Sequence, residues 1–316
     1  MNASDCPLQR HFPTASRLVY GCMGLGGDWS KSPLTKADER HAQAAVDGAL
    51  AAGITVFDHA DIYRHGKAET VFGRLLAARP ALRDRLIIQS KCGIRLGDGG
   101  RPQHYDLSRA WIERSVEGTL TRLGIDCLDL LLLHRPDALM EPEEIAAAFD
   151  GLKRSGKVRH FGVSNMHAGQ IELLAATSDE PLVVNQVEAS LAVPDLFLEG
   201  LLAGHPDHPT QRFVAGTVEH ARRTGVQLQA WGALAGGRFA GPGPGSEAVA
   251  AAAAALGASV EAIVVAWLLR HTARIQPVIG STSPARIAAC AQGLDVELER
   301  ETWYGLLEAA RGAPAP

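Results

Sequence analysis

Four residue types able to move a proton to a carbonyl oxygen stand just beyond short apolar runs in this chain. Asp58 closes the run Ile54–Phe57, and Tyr63 follows in the next loop. Lys91 ends Leu86-Ile87-Ile88-Gln89-Ser90, and His134 ends Leu130-Leu131-Leu132-Leu133. Reducing a carbonyl needs a hydride at carbon and a proton at oxygen. A tyrosine hydroxyl, with an ordinary pKa near 10, is a poor acid at neutral pH. A neighbouring ammonium favours the phenolate and lowers that value. A carboxylate beside the ammonium keeps it charged and in place, and an imidazole on the next strand can hydrogen-bond the carbonyl oxygen and orient it. The residues thus predict a proton-delivery unit of Asp58, Tyr63, Lys91 and His134, with a lowered phenol pKa.

Each of these residues alone has a plainer reading. Asp58 could cap a loop, Lys91 could be a solvated strand-end charge, His134 a satisfied core histidine, Tyr63 loop packing, and Trp231 core. Their weight comes from convergence, and convergence depends on the elements that carry them.

Those elements alternate. Short apolar runs at Leu18–Tyr20, Ile54–Phe57, Leu86–Gln89, Leu128–Leu133, Val158–Val163, Val183–Val187, Val226–Ala230 and Gln276–Ile279 read as strands. Helical stretches lie between them at Ala42–Ala52, Glu69–Ala78, Ser108–Leu123, Pro142–Gly156, Ala168–Ala176 and Gln211–Thr224. Two more, Ser246–Leu256 and Ser259–His271, come before the last run. A further helix starts at Pro284, and Glu299–Arg311 is an extra one at the C-terminal end. Leu128–Leu133 is continuously apolar, as a strand buried on both faces requires. Strand and helix in alternation predict a parallel sheet. A (β/α)₈ TIM barrel with extra helices, one domain over residues 1–316, would put Asp58, Lys91, His134, Ser164-Asn165, Asn185-Gln186, Trp231 and Gly280-Ser281 on its carboxyl rim, where such barrels place their chemistry. An open doubly wound sheet is the alternative, but Gly21-Cys22-Met23-Gly24-Leu25-Gly26 lacks the glycine spacing of its first turn. A metal-dependent hydrolase barrel also places His and Asp on strand ends. His59, His65 and His134 have no clear metal spacing, and Lys91 among them would repel a cation.

Bulk composition narrows the partners. A net charge of −4 over 316 residues offers no basic excess for a phosphate backbone, so no nucleic-acid partner is expected. No apolar run reaches the ~20 residues of a membrane-spanning helix. Asp5, Arg10, His11 and Pro13 break up the first residues, so no secretory signal is expected. The five cysteines are scattered, with no C-x-x-C, which suits reduced thiols in the cytoplasm. The oligomeric state is left open.

The ordered set of motifs resembles the aldo-keto reductase superfamily over nearly the full length, and its bacterial oxidoreductases most of all. The matching segments are Phe57-Asp58-His59-Ala60-Asp61-Ile62-Tyr63, Ser90-Lys91, Leu128-Asp129-Leu130 running to His134-Arg135-Pro136, and Gly156-Lys157-Val158-Arg159 continuing through Gly162-Val163-Ser164-Asn165. Asn185-Gln186-Val187-Glu188 and Val278-Ile279-Gly280-Ser281 complete the series. The resemblance implies NADPH-dependent reduction of an aldehyde or ketone, with NAD as a possible second cofactor and a small carbonyl compound as substrate. It implies Tyr63 as general acid, Lys91 and Asp58 as its tuning pair, and His134 as the group that orients the carbonyl. Ser164, Asn165 and Gln186 would bond the nicotinamide carboxamide, and Trp231, where many relatives have Tyr, would stack on its ring. Gly232, Ala233, Leu234, Gly236 and Arg238 would line the pyrophosphate. Ser281, Thr282 and Arg286 would meet the adenosine 2′-phosphate, Gly280 beside them would belong to the cofactor-binding set, and Gly24 would let the cofactor approach the first loop. Two departures stand out: Gly280 occupies a position where many relatives have Lys, and Ala289 and Cys290 replace the usual adenine contacts. Some members of the superfamily serve instead as redox-sensing regulatory subunits of larger assemblies.

Overall fold

The computed structural model describes residues 6–199, 201 and 216–316. Eight parallel strands close into a barrel in the order β1 (Val19–Gly21), β10 (Gln276–Ile279), β9 (Gln227–Trp231), β8 (Leu182–Glu188), β7 (Val158–Ser164), β6 (Leu128–Leu133), β3 (Ile87–Cys92) and β2 (Val56–Asp58). Every residue of β6 is buried, including Asp129. That carboxylate accepts the backbone N–H of Ile88 at 2.8 Å and pairs with Arg83 at 2.9 Å and Arg159 at 3.1 Å, so its charge does not go uncompensated.

Helices cover the outside, each started by local chemistry. α1 (Lys36–Ala51) begins at Thr35, whose hydroxyl accepts from Asp38 N while the Asp38 carboxylate accepts from Thr35 N. This reciprocal cap moves the start six residues ahead of the apolar pattern at Ala42. α2 (Lys67–Ala78) likewise begins ahead of the expected Glu69. α3 (Arg109–Leu123) is capped by Ser108 and ended by left-handed Gly124. α4 (Pro142–Arg154) has Pro at its first position and Glu143 and Glu144 in its first turn. α5 (Ala168–Thr177), α6 (Asp195–Leu198), α7 (Thr217–Thr224), α8 (Ser246–Leu256), α9 (Val260–Leu269) and α10 (Pro284–Ala291) follow. The extra helix α11 (Arg300–Arg311) docks through Trp303, stacked on Trp267 with ring centroids 4.8 Å apart; each indole N–H donates to the other residue's carbonyl. The expected helix Gln211–Thr224 is described only from Thr217, and residues 204–209 and 211–215 lie outside the described residues.

The amino-terminal mouth is closed by the segment before β1. Cys6, Leu8, Phe12 and Ala15 pack on Val19, Val56, Ile87, Leu130 and Val278. The opposite mouth is left to loops. One of them, Ile94–Tyr105, carries a feature absent from the sequence reading: the hairpin β4 (Ile94–Arg95) and β5 (His104–Tyr105). Among the described residues no single helix is long and apolar enough to cross a membrane; α8 and α9 together satisfy length and composition only across a 94° bend.

Candidate active site

Strand register brings the chemistry to one rim. Asp58 pairs with Gln89, so Lys91, two residues further along β3, points to the same side one step higher. Lys91 pairs with Leu132, and His134 stands two residues beyond that. The loop after β2 keeps bonding to β3, with His59 N donating to Gln89 O at 2.8 Å and Asp61 N to Lys91 O at 3.0 Å. This continuation carries Tyr63 back over the amine of Lys91.

The four candidate proton-delivery residues meet. Lys91 Nζ donates to Asp58 Oδ2 at 2.6 Å, to the His59 carbonyl at 3.0 Å and to the Tyr63 hydroxyl at 3.0 Å. The three donors of an ammonium are then all used. The rings of Tyr63 and His134 lie edge to face with centroids 5.9 Å apart. Burial would lower the Lys91 pKa, but the charges and hydrogen bonds of Asp58 and Tyr63 outweigh it and the net shift is upward. Burial, with the charges of Lys91 and Arg135, holds the His134 imidazole well below its ordinary range, so it is neutral.

The Tyr63 phenol corrects an expectation. Its pKa is raised, not lowered: burial pushes it up, and the Lys91 ammonium opposes that push without overcoming it, partly because the Asp58 charge also raises it. The sequence shows the neighbours but not the depth of burial.

Above these groups opens a cavity of about 830 Å³ that runs from Gly21 and Tyr63 to Arg286. Of the residues anticipated from sequence, Gly24, Asp58, Tyr63, His134, Ser164, Asn165, Gln186, Trp231, Gly232, Ala233, Leu234, Gly236, Gly280, Ser281 and Arg286 line it. Lys91 lies behind the wall, in contact with the Tyr63 hydroxyl. Two anticipated cofactor contacts do not line the cavity. Arg238 is exposed on the loop after β9, and Thr282 packs on the first loop, where a Cβ on Gly24 would fall 2.8 Å from its methyl. Any side chain at position 24 would therefore have to displace the Thr282 methyl, so the neighbouring loop itself favours glycine there.

Three side chains beside the β7 and β8 ends are interlocked. Ser164 Oγ donates to the Gln186 carbonyl at 2.7 Å and accepts from Asn165 Nδ2 at 2.8 Å, while Asn165 Oδ1 accepts from the Trp231 indole at 2.9 Å. The indole plane is thereby fixed at the cavity wall. Further along, Ala235, Gly236 and Gly237 are three successive left-handed residues, and the Ala235 and Gly237 N–H groups donate within the turn to the carbonyls of Gly232 and Leu234, both at 2.8 Å. At the far end Arg286 is exposed in the first turn of α10.

The sequence reading missed Met23, Trp29, Ile62, Arg64, Arg135, Phe239 and Glu261, which also line the cavity. Arg135 was visible beside His134 as part of a motif, but without a role. Trp29 is brought in by long-range latches that leave no periodic signal: His65 Nε2 lies 2.8 Å from its carbonyl, and Lys67 pairs with Asp28 at 3.2 Å. His59 is buried against Phe72, and burial with the charge of Lys91 drives its pKa down to about 3, so the ring is neutral. Among the described residues no group of three or more His, Cys, Asp or Glu side chains is placed to hold a metal ion. Cys22 and Cys92, beside the site, are buried and their thiols are pushed well above the ordinary value by burial, so they are poor nucleophiles.

Known proteins resemble this chain along almost its whole length. The model of the aldo/keto reductase family matches residues 17–310. A 6-dehydroglucose reductase from Agrobacterium fabrum is 39% identical over 303 residues, covering 94% of this chain and 95% of its own. The oxidoreductase YdhF of Escherichia coli is 36% identical, covering 96% of each. An aldo/keto reductase from Klebsiella pneumoniae, solved in complex with NADP and acetate, superposes with a TM-score of 0.73 at 25% identity, covering 96% of this chain and 93% of its own. A family match across almost every residue, on a barrel whose rim gathers a phenol, an amine, a carboxylate and an imidazole, leaves one assignment: the chain belongs to the aldo/keto reductase family.

Proposed function

We propose that Tyr63 hands the proton to the carbonyl oxygen in an NADPH-dependent reduction, with His134 orienting that oxygen and Lys91 and Asp58 setting the state of the phenol. The reaction class is that of the family: an aldehyde or ketone becomes an alcohol, with a nicotinamide cofactor as hydride source. The observation that carries the residue roles is the direction of one hydrogen bond. Lys91 Nζ can only donate, so the Tyr63 oxygen accepts from it and the phenol's own hydrogen is free to point into the cavity. A raised phenol pKa keeps that proton in place at neutral pH. Once it leaves, the phenolate faces an ammonium at 3.0 Å that is itself held by Asp58. Neutral His134 offers an uncharged N–H to the carbonyl and does not compete as an acid.

The cavity fits a dinucleotide. Its volume lies in the upper part of the roughly 300–1,000 Å³ typical of small-molecule sites. Gln186 and Trp231 would hold the nicotinamide end, the turn at Ala235–Gly237 would face the pyrophosphate, and exposed Arg286 beside Ser281 would take a 2′-phosphate. When bound, the cofactor supplies hydride. The Klebsiella pneumoniae relative, also solved in complex with NADPH at 25% identity, supports NADP(H) as the cofactor used here.

The substrate end suits a hydroxylated aldehyde. Trp29, Ile62 and Met23 offer apolar surface there, and Arg64 and Arg135 offer donors. Two relatives, 39% and 38% identical, are named 6-dehydroglucose reductases, which supports a sugar aldehyde. All five cysteines are free thiols, which supports work in a reducing compartment such as the cytoplasm. The test is an NADPH titration followed by turnover of a panel of sugar aldehydes, simple aldehydes, ketones and quinones. Faster reduction of sugar aldehydes than of simple ones is expected. NADPH binding without turnover of any carbonyl would point instead to a regulatory subunit.

A further inference from the structure

Four glutamines fill the barrel interior directly beneath the candidate site, each fully buried: Gln89, Gln229 and Gln276 at 0% exposure and Gln186 at 2%. Three of them stand side by side, because Gln186 pairs in register with Gln229 and Gln229 with Gln276. The fourth, Gln89, is in register with Asp58 on the facing wall.

Their hydrogen bonds run in one direction. Gln276 Nε2 donates to the Ser16 carbonyl at 2.6 Å, and Gln229 Nε2 donates to Gln276 Oε1 at 3.0 Å. Gln229 Oε1 then accepts twice, from Gln186 Nε2 and from Gln89 Nε2, both at 2.9 Å. The second hydrogen of Gln89 Nε2 goes to Asp58 Oδ1 at 2.5 Å. An amide can in principle be reversed, but both ends of this chain are acceptors that cannot be: a backbone carbonyl at Ser16 and a carboxylate at Asp58. The cost of holding this direction is visible. Gln89 Oε1 is buried with no partner, because the NH₂ group has been turned to Asp58.

We propose that Gln229 is a positioning residue: it joins Asp58 to Gln186 across the barrel and, by taking the Gln186 NH₂, presents the Gln186 carbonyl oxygen to the nicotinamide carboxamide. This deepens the reading that the cavity binds NADP(H), and rests on it. Gln186 lines the cavity, and its Oε1 has no hydrogen bond within the described residues. The neighbouring Asn165 amide is already spent on Ser164, His134 and Trp231. The acceptor for a carboxamide N–H is therefore Gln186 Oε1, and its orientation is set from beneath by Gln229.

The probe is the 3-acetylpyridine analogue of NADP⁺, in which a methyl group replaces the carboxamide NH₂. The wild-type enzyme should bind NADP⁺ about 5–10-fold more tightly than the analogue, the worth of one hydrogen bond. In Gln229→Met, Gln186 loses the partner that orients it, and this ratio should fall to about 1–2. In Gln229→Glu the buried acid stays neutral, so its O–H replaces the amide donor to Gln276 Oε1 and its carbonyl oxygen still accepts from Gln89 and Gln186; the ratio should remain near wild type. A general loosening of the barrel would weaken both ligands together and leave the ratio unchanged. An unchanged ratio in Gln229→Met overturns the proposal, and so does a ratio lost equally in Met and Glu variants. If the Met variant does not fold, the wild-type comparison still decides: equal affinity for NADP⁺ and the analogue overturns the proposal. Absence of any NADP⁺ binding by the wild type overturns the cofactor reading itself, a result distinct from either.

Discussion

The ammonium of Lys91 stands 3.0 Å from the Tyr63 hydroxyl and 2.6 Å from an Asp58 carboxylate oxygen, so one amine both steadies the phenol and is steadied by the acid. Phenol and acid are separated in chain position by a loop that continues to bond along β3. With its pKa raised, Tyr63 is held as a protonated phenol and not a phenolate, and the consequences for its proposed role are measurable.

Removing the hydroxyl should remove the proton and little else. Tyr63→Phe is expected to lower kcat for carbonyl reduction about 10²–10⁴-fold while NADPH affinity stays within a few-fold. The pH dependence has a definite sign. Reduction needs the protonated phenol, whose pKa lies above the ordinary value near 10, so kcat should be flat through the neutral range and fall only in strong alkali. Alcohol oxidation needs the phenolate and should rise throughout the alkaline range. Steady-state rates in both directions across pH check this; a reduction rate that falls between pH 6 and 8 would contradict the raised phenol.

Breaking the Lys91–Asp58 pair should cost stability as well as activity. Both side chains are almost wholly inaccessible, at 1% and 3% exposure. Lys91→Met leaves the Asp58 carboxylate buried beside a thioether, a loss of about 3–5 kcal/mol. Asp58→Asn combined with Lys91→Met removes both charges and should recover most of that loss while remaining inactive. Urea unfolding of the single and double variants separates the two effects, and additive losses would show that the charges do not compensate one another.

The strands and their ends were legible because burial on both faces leaves unbroken apolar runs such as Leu128–Leu133, so a polar residue at the end of such a run stands out. Asp58, Lys91 and His134 were found this way. Gln229 and Gln276 were not, since a single glutamine in a strand looks like a defect until register sets it beside Gln186. Trp29 and Arg64 escaped because loop latches, not periodicity, bring them to the cavity. The phenol shift was misread in sign because burial is a property of the closed barrel and is not written in the neighbours of Tyr63. Arg238 and Thr282 rest on the family resemblance alone, and neither is among the residues that line the cavity.

Arg286 should discriminate between the two nicotinamide dinucleotides. It is exposed at the start of α10, at the far end of the cavity from Tyr63. A charge-assisted hydrogen bond to a phosphate contributes about 1.5–3 kcal/mol, so Arg286→Ala should weaken NADPH binding about 10–100-fold. NADH, which lacks that phosphate, should be bound almost unchanged. Fluorescence titration of both reduced cofactors tests it, and equal losses for the two would remove the role.

Asp61 carries a pH effect of the opposite kind from an ion-paired acid. Burial, reinforced by the negative charge of Glu69, raises its pKa to about 7, against the weaker pull of Arg122. Glu69 has already engaged Arg122 at 2.7 Å and the Ser90 hydroxyl at 2.6 Å, and Asp61 Oδ1 is buried without a partner. The folded chain therefore holds this proton more tightly than the unfolded chain, whose aspartate titrates near 3.9. Stability should then fall as pH rises from about 4 to about 7 and level off above that. Asp61→Asn removes the charge that causes the fall. It is expected to stabilise the protein by about 2–4 kcal/mol at pH 8, by progressively less as pH is lowered, and by almost nothing near pH 4. Urea midpoints of both proteins across this range measure the effect. A loss of stability at pH 8 would mean that the carboxylate is ionised and bonded in the folded state, and that the loop carrying Tyr63 is held by a charge instead of by a neutral acid.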